Sequence, residues 1–235
     1  MFNKKLQIVK NFKILVFTVL LVLFAFIESY SQSSFNIHLG PSIPLLDYSS
    51  ENIDNEDAGG AGIGINFGLQ YTYQLTESGL GLFAGLDFNY NGLKKDVKDD
   101  LEKIFEDLVV TNIYFTHYKY FNIPVSAGLK YKYDADDKIA LIGNAGLTIN
   151  FLKVSDFIIK VDGLKITSEF DLANSIGFKI GGGILINSRT SIMIDYLGLG
   201  KHDINGETKA SGLTSKDIDV DQKVDMLTIT VGFNF

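Results

Sequence analysis

Alternation of apolar residues with small or polar ones, at a period of two, is the feature that most narrows what this sequence can fold into. The last segment is the clearest case. Leu227, Ile229, Val231, Phe233 and Phe235 alternate with Thr228, Thr230, Gly232 and Asn234. Successive side chains of a strand take opposite faces, so this segment has one apolar face and one polar or nearly bare face. Segments 63–73, 80–90 and 121–133 repeat the pattern, and weaker versions occupy 33–40, 139–153, 172–187 and 190–199. Eight strands are expected.

The connections between them alternate in length. Short ones lie near 74–79, 134–138 and 187–190, and long polar ones near 41–57, 91–112, 154–171 and 200–223. Strands joined in this way form an up-and-down antiparallel sheet. No apolar run after residue 31 reaches the roughly 20 residues a membrane-crossing helix needs. A chain of this kind crosses a bilayer only as a closed barrel, which pairs every backbone group. Glycine placement favours that solution over a soluble barrel. Gly62, Gly64, Gly68, Gly81, Gly85, Gly128, Gly146, Gly177, Gly181, Gly183 and Gly232 all fall on the polar face. On a wet exterior they would only weaken strands, whereas in a narrow interior they relieve crowding. Tyr71, Tyr73, Tyr131, Tyr133 and Phe235 fall toward the short-turn end, and Tyr90, Tyr120, Phe151 and Tyr196 toward the long-loop end. Two aromatic girdles are expected of a barrel in lipid. Short turns then face the periplasm, long loops face outward, and an even strand count puts both termini in the periplasm.

The N-terminus agrees. Lys4, Lys5, Lys10 and Lys13 precede an apolar run from Ile14 to Ile27, and Ser29-Tyr30-Ser31 follows. This is the charged, apolar and small-x-small order of a secretory signal, with cleavage expected after Ser31. The chain divides into a signal peptide, 1–31, and one barrel domain, 32–235. There is no cysteine, so disulfides, thiolate metal sites and lipid attachment through cysteine are excluded. The formal net charge is −7, and loss of the four signal lysines makes the remainder more acidic. Nucleic acid is not an expected partner of so acidic a chain. Outer-membrane lipid and the barrel-insertion machinery are.

One segment departs from period two. Val97, Leu101, Ile104, Phe105 and Leu108 follow helical spacing within 94–109, so a short amphipathic helix is expected in the second external loop.

Parity places Asp87, Lys130, Lys132, Lys179 and Asp195 in the lumen, together with Phe83, Ile142 and Leu185. Lys179 and Asp195 should lie on neighbouring strands, close enough to pair. Interior charges persist when paired, and an eight-stranded barrel is just wide enough for its own side chains to fill. A plugged lumen is expected.

Catalytic and metal-binding readings find little support. His38 is expected on the inward face near the top of the first strand, His117 at the outer end of the fourth, and His202 in the last external loop beside Asp203. His202-Asp203 would be half of a base and its orienter, but the nearby hydroxyls, Ser211 and Thr214, carry no motif. The carboxylates Asp54, Glu56 and Asp57, and Asp217, Asp219 and Asp221, lack the glycine and closing glutamate of a calcium loop. No catalytic residue, metal ligand or cofactor is assigned.

Tyr120-Phe121-Asn122-Ile123-Pro124-Val125 resembles the Tyr-Leu-x-Ile-Pro-Leu signature of the Bacteroidetes outer-membrane β-barrel family that includes PorT, departing from it at Phe121 and Val125. The resemblance extends to the layout of signal, eight strands and terminal Phe. It implies the barrel fold, the outer membrane, and a connection through PorT to type IX secretion and gliding. A proline inside a strand normally marks a bulge or an edge, so a bulge is expected at Pro124. Val231, Phe233 and Phe235 resemble the signal by which barrel-insertion machinery recognises its clients through strand addition.

The expected fold is thus all-β: an eight-stranded antiparallel up-and-down transmembrane barrel with a short helix in its second external loop. The expected function is that of a structural or accessory barrel, linked to secretion or to envelope partners through its loops. Two alternatives stay open: a small passive channel, and an outer-membrane enzyme with a loop site.

Overall fold

A computed structural model describes residues 33–52, 58–106, 113–161, 164–210 and 215–235. The signal segment 1–31, the acidic residues 54–57, and Leu108, Ser211 and Thr214 lie outside the described residues.

Eight long strands carry the fold: β1 (Ser33–Leu45), β2 (Gly64–Gln74), β3 (Leu80–Gly92), β5 (Lys119–Asp134), β6 (Ile139–Val154), β9 (Leu172–Ile186), β10 (Thr190–Ala210) and β11 (Lys216–Asn234). Each pairs antiparallel with the next of these eight, and β11 also pairs with β1, from Asn36↔Asn234 to Leu45↔Asp225. Every long strand therefore has a partner on both sides, and the ladder returns to its start as a ring. Parity is kept around it. His38 stands opposite Gly68, Gly68 opposite Asp87, and His38 opposite Gly232, all on the face the sequence assigns inward.

The sequence pattern explains why these segments are strands and which way each faces. Asn66, Asp87, Asn122 and Thr148 are buried inside the ring, while Leu39, Ile65, Leu147 and Ile176 are exposed on its outer wall, the last two by more than 70 %. An inverted distribution of this kind, with polar residues within and apolar residues without, leaves an exposed apolar surface far beyond what a monomeric soluble domain tolerates.

Three expectations need correction. The first concerns strand count, because three short strands join the eight among the described residues. They are β4 (Ile113–Phe115), β7 (Phe157–Val161) and β8 (Leu164–Phe170), and they lie in connections. The second concerns the last long connection. Segment 200–223 is strand for most of its length, since β10 and β11 stay paired from Lys201↔Lys223 to Thr208↔Lys216, after a slip of register between Gly198 and Lys201. β8 lines the other edge of β10, and β7 and β4 follow it. This sheet stands above the ring. Its outer face is polar (Lys201, Asp203, Asn205, Glu207), so the chain there gives no hydrophobic period to read. The third concerns Pro124. β5 runs in unbroken register with β6 through Pro124↔Asn150, and its register with β3 is the same on either side of the proline. There is no bulge. Instead the β3–β5 ladder skips Ile123 and Pro124, where the missing N–H leaves a rung unmade.

Two helices complete the described residues. α1 (Leu46–Ser49) is a single turn that follows β1 directly, and α2 (Lys95–Glu106) is the helix expected after β3. Val97 and Leu101 on α2 pack against an apolar cluster at this end of the ring.

Candidate functional site

Inward side chains fill the ring in layers, starting from a charged one at mid-depth. Asp87 on β3, Lys179 on β9 and Asp195 on β10 are each about 97 % buried or more. Lys179 Nζ lies 3.4 Å from Asp87 Oδ2 and 3.5 Å from Asp195 Oδ2, so one ammonium bridges two carboxylates. Each carboxylate has neutral partners on its other oxygen. Asn144 Nδ2 donates to Asp195 Oδ1 at 2.9 Å, and Asn66 Nδ2 reaches Asp87 Oδ1 at 3.4 Å. His38 Nε2 lies 2.8 Å from Asp87 Oδ1, and its Nδ1 lies 3.0 Å from Asn36 Oδ1. Asn36 Nδ2 in turn donates to Ser191 Oγ at 3.0 Å. The chain of contacts crosses the interior from β1 to β10. A buried ion cluster persists when its remaining lone pairs are also engaged, and Asn66, Asn144 and His38 reach those of the two carboxylates.

Glycine makes the space. A Cβ on Gly68 would overlap the His38 ring and the Asp87 carboxylate, and one on Gly181 would overlap the Asp195 carboxylate. Only a bare backbone at these two positions lets the ion cluster approach the wall.

A polar layer lies next toward the long-loop end. Asn150 Nδ2 donates to Asn122 Oδ1 at 2.8 Å and lies 2.9 Å from His202 Nε2, and Asn122 Nδ2 donates to the Tyr48 hydroxyl at 3.1 Å. An apolar plug closes that end. Tyr48 on α1, Leu152, Leu197, Leu199, Val224 and Met226 are fully buried. Tyr48 and Tyr120 meet edge to face with ring centroids 5.3 Å apart, and the Tyr120 hydroxyl donates to the Gly59 carbonyl at 2.6 Å.

The structure brings together three of the five lumen charges read from the sequence. Lys130 lies apart from Lys179 and donates to Thr72 Oγ1 at 3.4 Å, and Lys132 pairs with Asp134 at 2.9 Å near the short turns. Phe83 and Ile142 are buried inside, as parity requires. Val231, Phe233 and Phe235 lie on the outer wall, and Phe235 exchanges backbone hydrogen bonds with Phe35.

Three histidine and aromatic placements differ from expectation. His38 sits at mid-depth, because β1 continues well beyond residue 40 to Leu45. His202 is not in a loop. It is a fully buried residue of β10, while Asp203 beside it is exposed on the opposite face. Strand alternation thus separates the two groups that a base-and-orienter pair would need together. Tyr120 belongs to the plug and not to a girdle. It shares the inward parity of Asn122, a signal the sequence already carried. Tyr73, Tyr131, Tyr133 and Tyr90 do lie exposed on the outer wall.

Residues 17–235 match the family described as the outer membrane protein beta-barrel domain. Solved structures resemble the chain at low identity. Neisserial surface protein A matches at 13 % identity and a TM-score of 0.46, with 88 % of this chain and 98 % of that one covered. OprG of Pseudomonas aeruginosa gives 13 %, 0.46, 88 % and 98 % in the same order. Ail of Yersinia pestis gives 17 %, 0.39, 86 % and 97 %. No curated protein matches the chain in sequence.

Proposed function

We propose, from the premise that the chain belongs to the outer membrane protein beta-barrel family, that it is an eight-stranded transmembrane barrel with a sealed lumen, acting through what it presents outside the membrane. The observation that carries this reading is the bridge of Lys179 between Asp87 and Asp195, with the Tyr48–Met226 plug above it. A paired charge in a constricted interior is a plug and not a filter, since an ion passing through would have to displace the ammonium from both carboxylates. The exposed apolar wall supplies the lipid-facing belt, and the short turns face the periplasm.

The working surface is then the sheet of β4, β7, β8 and the extended β10–β11 hairpin, which rises beyond the ring. Its role is structural or accessory, through envelope partners. The Tyr120–Val125 segment supports kinship with the PorT group of Bacteroidetes barrels, and a link to type IX secretion is the finer form of the proposal. The passive-channel reading conflicts with the bridged interior, and the loop-enzyme reading loses its His202-Asp203 pair.

Absence of cysteine makes the topology directly testable. A single cysteine at Asp219, in the β10–β11 hairpin, should react with a membrane-impermeant maleimide on intact cells. One at Asp136, in a short turn, should react only after the outer membrane is opened. Equal labelling of both positions on intact cells, or recovery of the protein in the soluble fraction, would refute the placement.

A further inference from the structure

Past the Lys179 cluster, toward the short turns, the interior widens into a cavity of about 260 Å³. Gly79 and Ser188 in its lining belong to those turns, so the cavity opens at that end and is blind at the other. Its polar wall includes Ser34, Thr72, Gln74, Asn234, Lys130 and Lys132. Two cations therefore line it, and among the described residues no carboxylate does. Lys132 is already held by Asp134 at 2.9 Å. Lys130 is different. Its ammonium makes one long hydrogen bond, 3.4 Å to Thr72 Oγ1, and no ion pair among the described residues. The two Asp195 oxygens, one layer deeper, are both engaged already, by Asn144 and by Lys179.

A lysine presents three donors and a compact charge, and it recognises an oxyanion as a point charge. Serine and threonine hydroxyls around it rotate to suit and can donate to the remaining oxygens. The volume holds several waters at about 30 Å³ each, so a small oxyanion enters with part of its hydration. We propose that this vestibule is a binding site for a small solvent-borne oxyanion of the phosphate class, with Lys130 as its principal contact. The site depends on the sealed interior only in being blind-ended, and it is chemically separate from the plug.

The test uses the folded full-length protein in a phosphate-free nonionic detergent, titrated with inorganic phosphate against chloride at constant ionic strength. Amide resonances of Thr72, Gly81 and Asn144 should shift and saturate. Lys130→Met should weaken the apparent affinity about tenfold or more, the loss expected for one charge-assisted hydrogen bond, while Lys130→Arg keeps it. A heat-shifted gel band shows that each variant is folded. Shifts that grow linearly without saturation, or that are the same in Lys130→Met, overturn the site. Perturbation confined to phosphatidylglycerol bilayers and absent with free phosphate also overturns it, since the anion would then be a lipid headgroup. Ion conductance of Lys130→Met, measured in parallel, separates failure of this site from failure of the sealed-lumen reading.

Discussion

Asp87 and Lys179 belong to strands that are not neighbours, with β5 and β6 standing between them, yet their side chains meet at 3.4 Å inside the ring. The contact spans the lumen, and it ties the two halves of the ring together. Since Lys179 also meets Asp195, the three groups are not equivalent. Lys179→Met leaves two buried carboxylates without their cation and should cost about 3–5 kcal/mol, the penalty for breaking a buried pair. Asp195→Asn leaves Lys179 its Asp87 partner and should cost clearly less. Urea titration of the folded protein in micelles, read by tryptophan-free fluorescence of its tyrosines or by the gel shift, gives the order. Equal losses would mean that the bridge is not shared.

The glycines beside this cluster give a second expectation. Gly68→Ala places a methyl where the His38 ring and the Asp87 carboxylate lie, and Gly181→Ala does the same at Asp195. Each should destabilise by about 1–3 kcal/mol through overpacking. Gly85→Ala is the control, because the nearest atom to its added Cβ would be the Leu69 carbonyl oxygen at 3.6 Å. Thermal melting of the three variants checks the contrast, and a Gly68→Ala protein as stable as Gly85→Ala contradicts it.

Parity alone made most of the interior legible. The inward residues Asp87, Lys179, Asp195, Phe83 and Ile142 follow from counting in twos along each strand, and the Lys179–Asp195 pair follows from the short turn between β9 and β10. The Asp87–Lys179 contact does not. Which residues share a level across a ring depends on the stagger accumulated over every intervening strand, and no local pattern records that sum. The same gap hid His38 from Asp87. The extended hairpin was illegible for another reason. From Lys201 to Ala210 one face is charged and the other carries only His202 and Ile204 as large buried side chains, so no apolar alternation marks the strand. Pro124 misled because a missing donor was read as a bulge, whereas the register absorbs it as one skipped stretch of ladder.

Tyr48 sits on a single turn of helix and is fully buried in the plug, against Tyr120 and Asn122. Tyr48→Ala removes a large side chain and leaves the Asn122 amide without that acceptor. A loss of about 3–5 kcal/mol is expected, as for other large aromatic deletions in a core. Tyr48→Phe keeps the ring and should cost only the hydrogen bond, about 1 kcal/mol. If both variants melt alike, the ring is not what closes this end.

Asp203 and Asp221 face each other across the extended β10–β11 hairpin. Asp221 raises the Asp203 carboxyl above the ordinary carboxylate value, first through a shared hydrogen bond and then through its charge, while Lys201 is the first cause of the lowering of Asp221. The signs oppose. The Asp203 proton stabilises the hairpin at low pH, and that contribution is lost as pH rises through its raised value. The Asp221 contribution is present above the ordinary carboxylate value and is lost on acidification through its lowered one. Carboxyl ¹³C titration should show Asp203 ionising at higher pH than Asp221, with Asp203→Asn removing the loss on the alkaline side only. Ionisation of Asp203 at or below the ordinary value would contradict the shared proton.

Conductance across a planar bilayer tests the sealed lumen most directly. The folded protein, inserted at defined orientation in neutral lipid, should give no steady single-channel current, because Lys179 bridges Asp87 and Asp195 and the Tyr48 plug lies above them. Stable, unitary open levels from the wild-type protein would contradict the account, and their disappearance on blocking the short-turn vestibule would place the path through the very layer described as closed.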